Sequence, residues 1–257
     1  MITLDELVIQ NIEGKNVFIK RISDLTSSSP QIDLLNIWFC HESIAVKNIR
    51  DMNFDLAKNH FYNCGLIDVL RCEKFNDIFL EYALVNTCCA ILSDNERLIE
   101  RFASLSYKPW GKMKGMEENV ILGKMPIWSN TIQHFMINNK QGIERNLNIL
   151  ETKTIPKLKK NEQLLLHDFE FFKALYNKDK NKVEEILDIL TSSKIHKKRT
   201  FNEILGQYVS FPALGYAKLA WRHGIEVKLS SSLIPKELLP IKPLTEYKSA
   251  YDFLPTL

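Results

Sequence analysis

IQHFMINNKQGIERNLNIL (Ile132–Leu150) and FKALYNKDKNKVEEILDIL (Phe172–Leu190) align at a shift of forty residues, pairing Ile143 with Val183, Leu147 with Leu187 and Leu150 with Leu190. Each segment reads as an apolar helix end, a short polar turn and a second helix whose apolar residues recur at three and four. A third copy, AILSDNERLIERFASL (Ala90–Leu105), keeps the outline, with Asp94 in the turn and Leu98, Phe102 and Leu105 on the face that follows. Helix pairs of about forty residues are the unit of tetratricopeptide-like and HEAT-like arrays, where neighbouring hairpins cover the apolar faces that one hairpin alone leaves bare. The expected fold is therefore all-α, a helical-hairpin repeat array.

The rest of the chain is read outward from these copies. N-terminal to them, Leu34, Leu35, Trp38 and Phe39, then Phe54, Ala57, Phe61, Cys64, Leu66 and Leu70, give more helices after the breaker cluster Ser27-Ser28-Ser29-Pro30. The first thirty residues read as weakly structured. Between the Ala90–Leu105 and Ile132–Leu150 copies lies YKPWGKMKGMEENVILGKMPIWS (Tyr107–Ser129), an irregular insert. It is either a connection whose aromatics plug a gap between hairpins or a recognition loop. Pro235, Pro240, Pro243 and Pro255 exclude a long helix at the C-terminus. The apolar residues between them predict a tail that runs back over the helical body, with Thr245–Phe253 forming a helical turn or two. One elongated domain over 1–257 is expected, divided into N-terminal helices 30–106, the insert 107–129, C-terminal helices 130–224 and the covering tail 225–257.

Phe201–Pro240 closes the helical part. Thr200 and Glu203 read as a capping box, and Arg222-His223-Gly224 as a basic last turn followed by a glycine stop. Pro212 either kinks one helix or sits in the first turn of a second; two helices are favoured. The segment YVSFPALGYAKLAWRHG (Tyr208–Gly224), followed by Ile225, Val227, a serine run and IPKELLP (Ile234–Pro240), resembles the C-terminal signature of the Imm49 family, immunity proteins found beside polymorphic or contact-delivered bacterial toxins. The resemblance implies a protein of a contact-dependent growth inhibition or other polymorphic toxin system. Such a protein binds a cognate toxin domain encoded nearby, one to one, and is not an enzyme.

With 257 residues, 45% hydrophobic, 25% charged and a net charge of +3, the chain can bury a substantial core and is too near neutral to argue for a nucleic-acid binder as a whole. There is no charged-then-apolar leader and no apolar run of membrane-spanning length, so a cytoplasmic protein without a membrane partner is expected. Five cysteines at 40, 64, 72, 88 and 89 lie in apolar runs and read as reduced, buried thiols. No C-x2-C pair suggests a metal, and no cofactor is expected. His41-Glu42 lacks the second histidine of a zinc-protease motif, having Ala45 there instead. Gly111–Gly115 lacks the spacing and the Lys-Ser/Thr of a phosphate loop. Cys88-Cys89 has only apolar neighbours, and His167-Asp168 would need a shared cleft to act as an acid–base pair.

Two charge patterns remain. Basic clusters around residues 153–160, 178–182 and 196–199 offer an alternative reading as a helical-repeat nucleic-acid-binding protein, although each is followed by acids such as Glu162, Glu184, Glu185 and Glu203. If the toxin is a nuclease with a basic substrate groove, the acids of the turns and second helices are the candidate contacts. These are Asp94, Glu96 and Glu100 in the Ala90–Leu105 copy, and Asp179, Glu184, Glu185 and Asp188 in the Phe172–Leu190 copy.

Overall fold

A computed structural model describes residues 2–257. The described residues are helical, without a β-strand, in the order α1 (Leu4–Ser23), α2 (Pro30–Arg50), α3 (Phe54–Phe75), α4 (Leu84–Leu92), α5 (Glu96–Ala103), α6 (Met116–Ile121), α7 (Pro126–Met136), α8 (Lys140–Ile149), α9 (Leu165–Tyr176), α10 (Lys180–Thr191), α11 (Ser193–Arg199) and α12 (Phe211–Arg222). The all-α expectation holds. α1, α2 and α3 pack side by side, α3 continues onto α4 and α5, and α12 lies against α4. Buried apolar residues from α1 through Leu254 form one contiguous cluster.

The three predicted hairpins are α4–α5, α7–α8 and α9–α10, and they share one turn chemistry. The residue two before each second helix is left-handed: Asp94 (φ 57°), Asn138 (φ 53°) and Lys178 (φ 57°). The next residue caps that helix, with the Asn95, Asn139 and Asp179 side chains accepting from the amides of Leu98, Gly142 and Lys182. The left-handed residue ends one helix and the cap satisfies a free amide of the next, so the chain reverses in two residues.

The N-terminal thirty residues depart from expectation. They carry the twenty-residue α1, opened by a capping box in which the Thr3 hydroxyl accepts from Glu6 N and Glu6 accepts from Thr3 N. The insert is also more ordered than a loop. After a tight turn between Trp110 and Met113 it forms α6, and from Pro126 it is already α7. Trp128 is buried beside Phe172, whereas Trp110 is exposed, so its aromatics divide between packing and surface.

Around Pro212 there is one α-helix, α12, and the helix expected before it is absent. Pro212 sits in the first turn of α12, and Gly224 (φ 76°) follows its end. Upstream, the Thr200–Glu203 capping box does not form. Asn202 instead accepts from the amides of Ile204 and Leu205, leaving a bend and a single 3-10 turn at Leu205–Gln207. α12 crosses α4 so closely that a Cβ on Gly215 would lie 2.0 Å from Cys88 Sγ and 3.1 Å from its Cα.

The tail crosses α3 and α4 without forming the expected helical turn at Thr245–Phe253; its one 3-10 turn is Lys236–Leu238. It is bonded as well as packed. Asp94 lies between two lysines, at 2.6 Å from Lys218 and 2.8 Å from Lys58, and all three are buried. Two ammoniums on one carboxylate need further acceptors, and the tail supplies them. Lys218 donates to the carbonyls of Leu238 and Pro240, and Lys58 to that of Lys242. Further on, the amides of Lys248 and Ala250 donate to Asn59 and Asn63.

Candidate functional site

Two regions of the surface combine defined geometry with available chemistry. The first is the end of the molecule where the hairpin turns meet the C-terminus of α12. Arg222 makes a bidentate ion pair with Glu96 at 2.6 and 2.7 Å, and His223 Nε2 donates to Phe135 O at 2.9 Å. Lys178 donates to His223 O, and the Lys228 amide to Glu184 at 2.7 Å. The end of α12 thereby stitches together all three hairpins.

The nominated acids divide here. Asp94 is fully buried and both its oxygens face lysines, so it is not an exposed turn acid; its role is inside the tail clamp. Glu96 and Glu184 are held in the contacts just described. Glu185 pairs with Lys182 at 2.8 Å, and Asp179 is exposed but occupied as the cap of α10. Glu100 and Asp188 are exposed without an ion-pair partner among the described residues. The basic clusters are partly neutralised as well. Lys180 and Lys182 face Glu184, Glu185 and Glu170, and the half-buried Arg199 is held in a bidentate pair with Asp168. Asp168 also accepts from Tyr216 at 2.5 Å, so its oxygens are engaged by Arg199 and Tyr216 rather than by His167.

The second region is a groove of about 670 Å3 between α1, α2, the start of α4 and the 196–212 segment. Its walls are aromatic: Phe18 from α1, Trp38 and Phe39 from α2, Phe79 and Tyr82 before α4, and Phe201 and Phe211 on the far side. Phe201 is 91% exposed, Tyr82 72% and Phe39 46%, so the mouth is unusually apolar. Phe201 stands in a bend directly before the Asn202 turn rather than in the expected helix.

The floor is charged. Trp38 Nε1 and Asn86 Nδ2 donate to Asp68 at 3.0 Å, and Arg71 donates to Asp68 and Asp77 at 3.1 and 2.9 Å. Burial pushes Asp68 up to about 6 in spite of these donors. Glu42 lies on the same floor, 7% exposed, lining the groove and without a hydrogen-bond partner among the described residues. Burial, aided by the Asp68 charge, pushes its carboxyl up to about 8. Sequence reading passed over Glu42 as half of a failed zinc motif. The available signal was an acid inside the apolar run IWFCHESIAV.

All five cysteines are free and buried, and burial raises every one of them, Cys88 and Cys89 furthest. Such thiols are poor nucleophiles. Among the described residues no three His, Cys, Asp or Glu side chains gather as a metal site, and no helix is long and apolar enough to cross a membrane.

Comparison with curated proteins and with solved structures gave no match. The family model for Immunity protein 49 matches residues 84–238, which take in the three hairpins, α12 that stitches their turns together, and the tail carbonyl of Leu238 on Lys218. That match covers more than half of the sequence, and the chain belongs to the Imm49 family of immunity proteins.

Proposed function

We propose that this immunity protein acts in the cytoplasm by binding one cognate bacterial toxin domain, encoded beside it, and neutralising it through direct one-to-one contact. The observation that carries the reading is the family match over residues 84–238. The geometry supports it in a general way. Short capped turns on a stitched framework present side chains with little freedom to lose on binding, which favours tight association. If the toxin is a nuclease, Glu100 and Asp188, with Asp179, are the acids best placed to meet a basic substrate groove, because their charges are least consumed within the chain.

The test is co-expression with the product of the adjoining toxin gene. Rescue of growth together with a stable one-to-one complex is the expected result; killing despite co-expression, or no toxin-like neighbour, would sink the proposal. For the nuclease version, Glu100→Gln with Asp188→Asn should slow association by about tenfold at low salt and flatten its salt dependence, as loss of steering charges does. An unchanged association rate would put the contact elsewhere.

A further inference from the structure

The aromatic groove contains an acid that nothing in the chain uses. Arg71 and Arg199 line the groove, but each is already engaged: Arg71 by Asp68 and Asp77, and Arg199 by Asp168. Both guanidiniums are therefore committed to other carboxylates, and neither is paired with Glu42. α1 contributes only Gln10 and Asn11 as polar groups to this wall, α3 and α4 place the thiols of Cys64 and Cys89 near Glu42, and His196 on the far wall is engaged by Gly206 O at 2.7 Å. The floor holds a buried carboxyl with no cation of this chain on it, under an apolar rim.

We propose that the groove seats a lysine or arginine side chain of the partner protein, with its cationic head on the Glu42 carboxylate and its aliphatic stem between Phe39, Tyr82 and Phe201. A long aliphatic stem ending in a cation matches this lining, and aromatic faces also attract cations. In the empty groove Glu42 keeps its proton at neutral pH. Entry of the cation favours the carboxylate, so one proton passes from Glu42 to solvent and the affinity rises with pH up to about 8. The partner's identity as a toxin rests on the neutralisation reading; the chemistry of the groove does not.

The full chain is titrated with n-butylguanidinium and n-butylammonium, and with 1-pentanol as a neutral match, while the Trp38 indole and Asn86 amide signals are followed by NMR. Both groups donate to Asp68 beside the groove. The cations should shift these signals saturably, more tightly at about pH 8 than at about pH 6, and Glu42→Gln should weaken binding by about tenfold or more. Equal binding of 1-pentanol, or cation binding unchanged in Glu42→Gln, would overturn the proposal. Gly14→Trp gives a second route, because Gly14 lines the groove and a Cβ there meets no atom within 4 Å, so a bulky side chain can be introduced at its wall. This variant should melt like the parent, lose cation binding and fail to protect cells from the toxin. If the parent and Gly14→Trp protect equally, the groove is not the seat although neutralisation stands. If the parent does not protect, neutralisation falls and the cation titration alone decides the groove.

Discussion

Glu42 and Asp94 show how much one acid's meaning depends on what distant helices bring to it. Both are buried; Asp94 is met by Lys58 from α3 and Lys218 from α12, while Glu42 is met by no partner. The cost of Glu42 is a stability cost with a defined sign. Its carboxyl titrates near 4.5 in the unfolded chain and is pushed up to about 8 in the folded one, so between these values the folded chain holds a proton that the unfolded chain has lost. Stability therefore falls as pH rises through that window. Glu42→Gln removes the effect, and should stabilise the chain by about 2–4 kcal/mol at pH 8 and by almost nothing at pH 4. Denaturant melts of the two proteins at both pH values measure it. A constant difference across pH would mean that Glu42 is already ionised in the folded state.

At the scale of elements, the three hairpin turns were legible because their physics is local. A polar residue tolerant of the left-handed region, followed by Asn or Asp before an amphipathic helix, is visible at Asp94-Asn95 and Asn138-Asn139, and Lys178-Asp179 keeps the cap. α1 was missed although Thr3 and Glu6 carry a local capping-box signal for it. What sequence could not show was competition or convergence over distance. The Thr200 hydroxyl turns back to His196 O while Asn202 takes the amides of Ile204 and Leu205, so the expected capped helix gives way to a bend, in which Phe201 is exposed. Asp94 looked like a surface acid until α3 and α12 placed lysines on it. The local rule separates two roles at Asp179, which caps α10 and also belongs to the nominated acidic set. Asp179→Asn keeps an acceptor for the Lys182 amide and removes the charge; Asp179→Ala removes both. The alanine variant should lose about 1 kcal/mol of stability and the asparagine variant only a few tenths, by thermal or denaturant melting. If the asparagine variant also binds the toxin more weakly, the charge contributes to the contact; equal stability loss in both would mean that the ion rather than the cap holds the turn.

Across the whole molecule, the tail ties residues near the C-terminus to α2 and α3, and it does so through two chemically different locks. The Lys58–Asp94–Lys218 clamp holds the carbonyls of Leu238, Pro240 and Lys242, and Asp94 also accepts from the Lys242 amide at 3.2 Å. Farther along, Tyr251 meets His41 Nε2 at 3.0 Å, and His41 Nδ1 meets His60 Nδ1 at 2.9 Å. Two ring nitrogens this close share one proton, so the pair does not accept a second charge without opposing N–H groups. Burial, and for His41 also the charge of His60, depress the imidazoles to about 3 and about 4. The unfolded rings titrate near 6.5, so from about pH 6.5 down toward 4 the unfolded state binds protons that the folded state refuses. The histidine lock loses stability across that window, whereas Lys218 of the clamp, lowered by burial only to about 8, stays protonated there. Hydrogen exchange can read the two locks separately, because the Lys242 amide reports the clamp and the Ala250 amide, bonded to Asn63 at 2.7 Å, reports the region beside Tyr251. After correction for intrinsic exchange rates, protection of Ala250 should drop several-fold more than that of Lys242 between about pH 7 and pH 5. In Tyr251→Phe, Ala250 should be weakly protected already at pH 7 and much less sensitive to acid. Equal loss at both amides would show that the tail opens as one unit with the body, and that the histidine pair is not its separate hold.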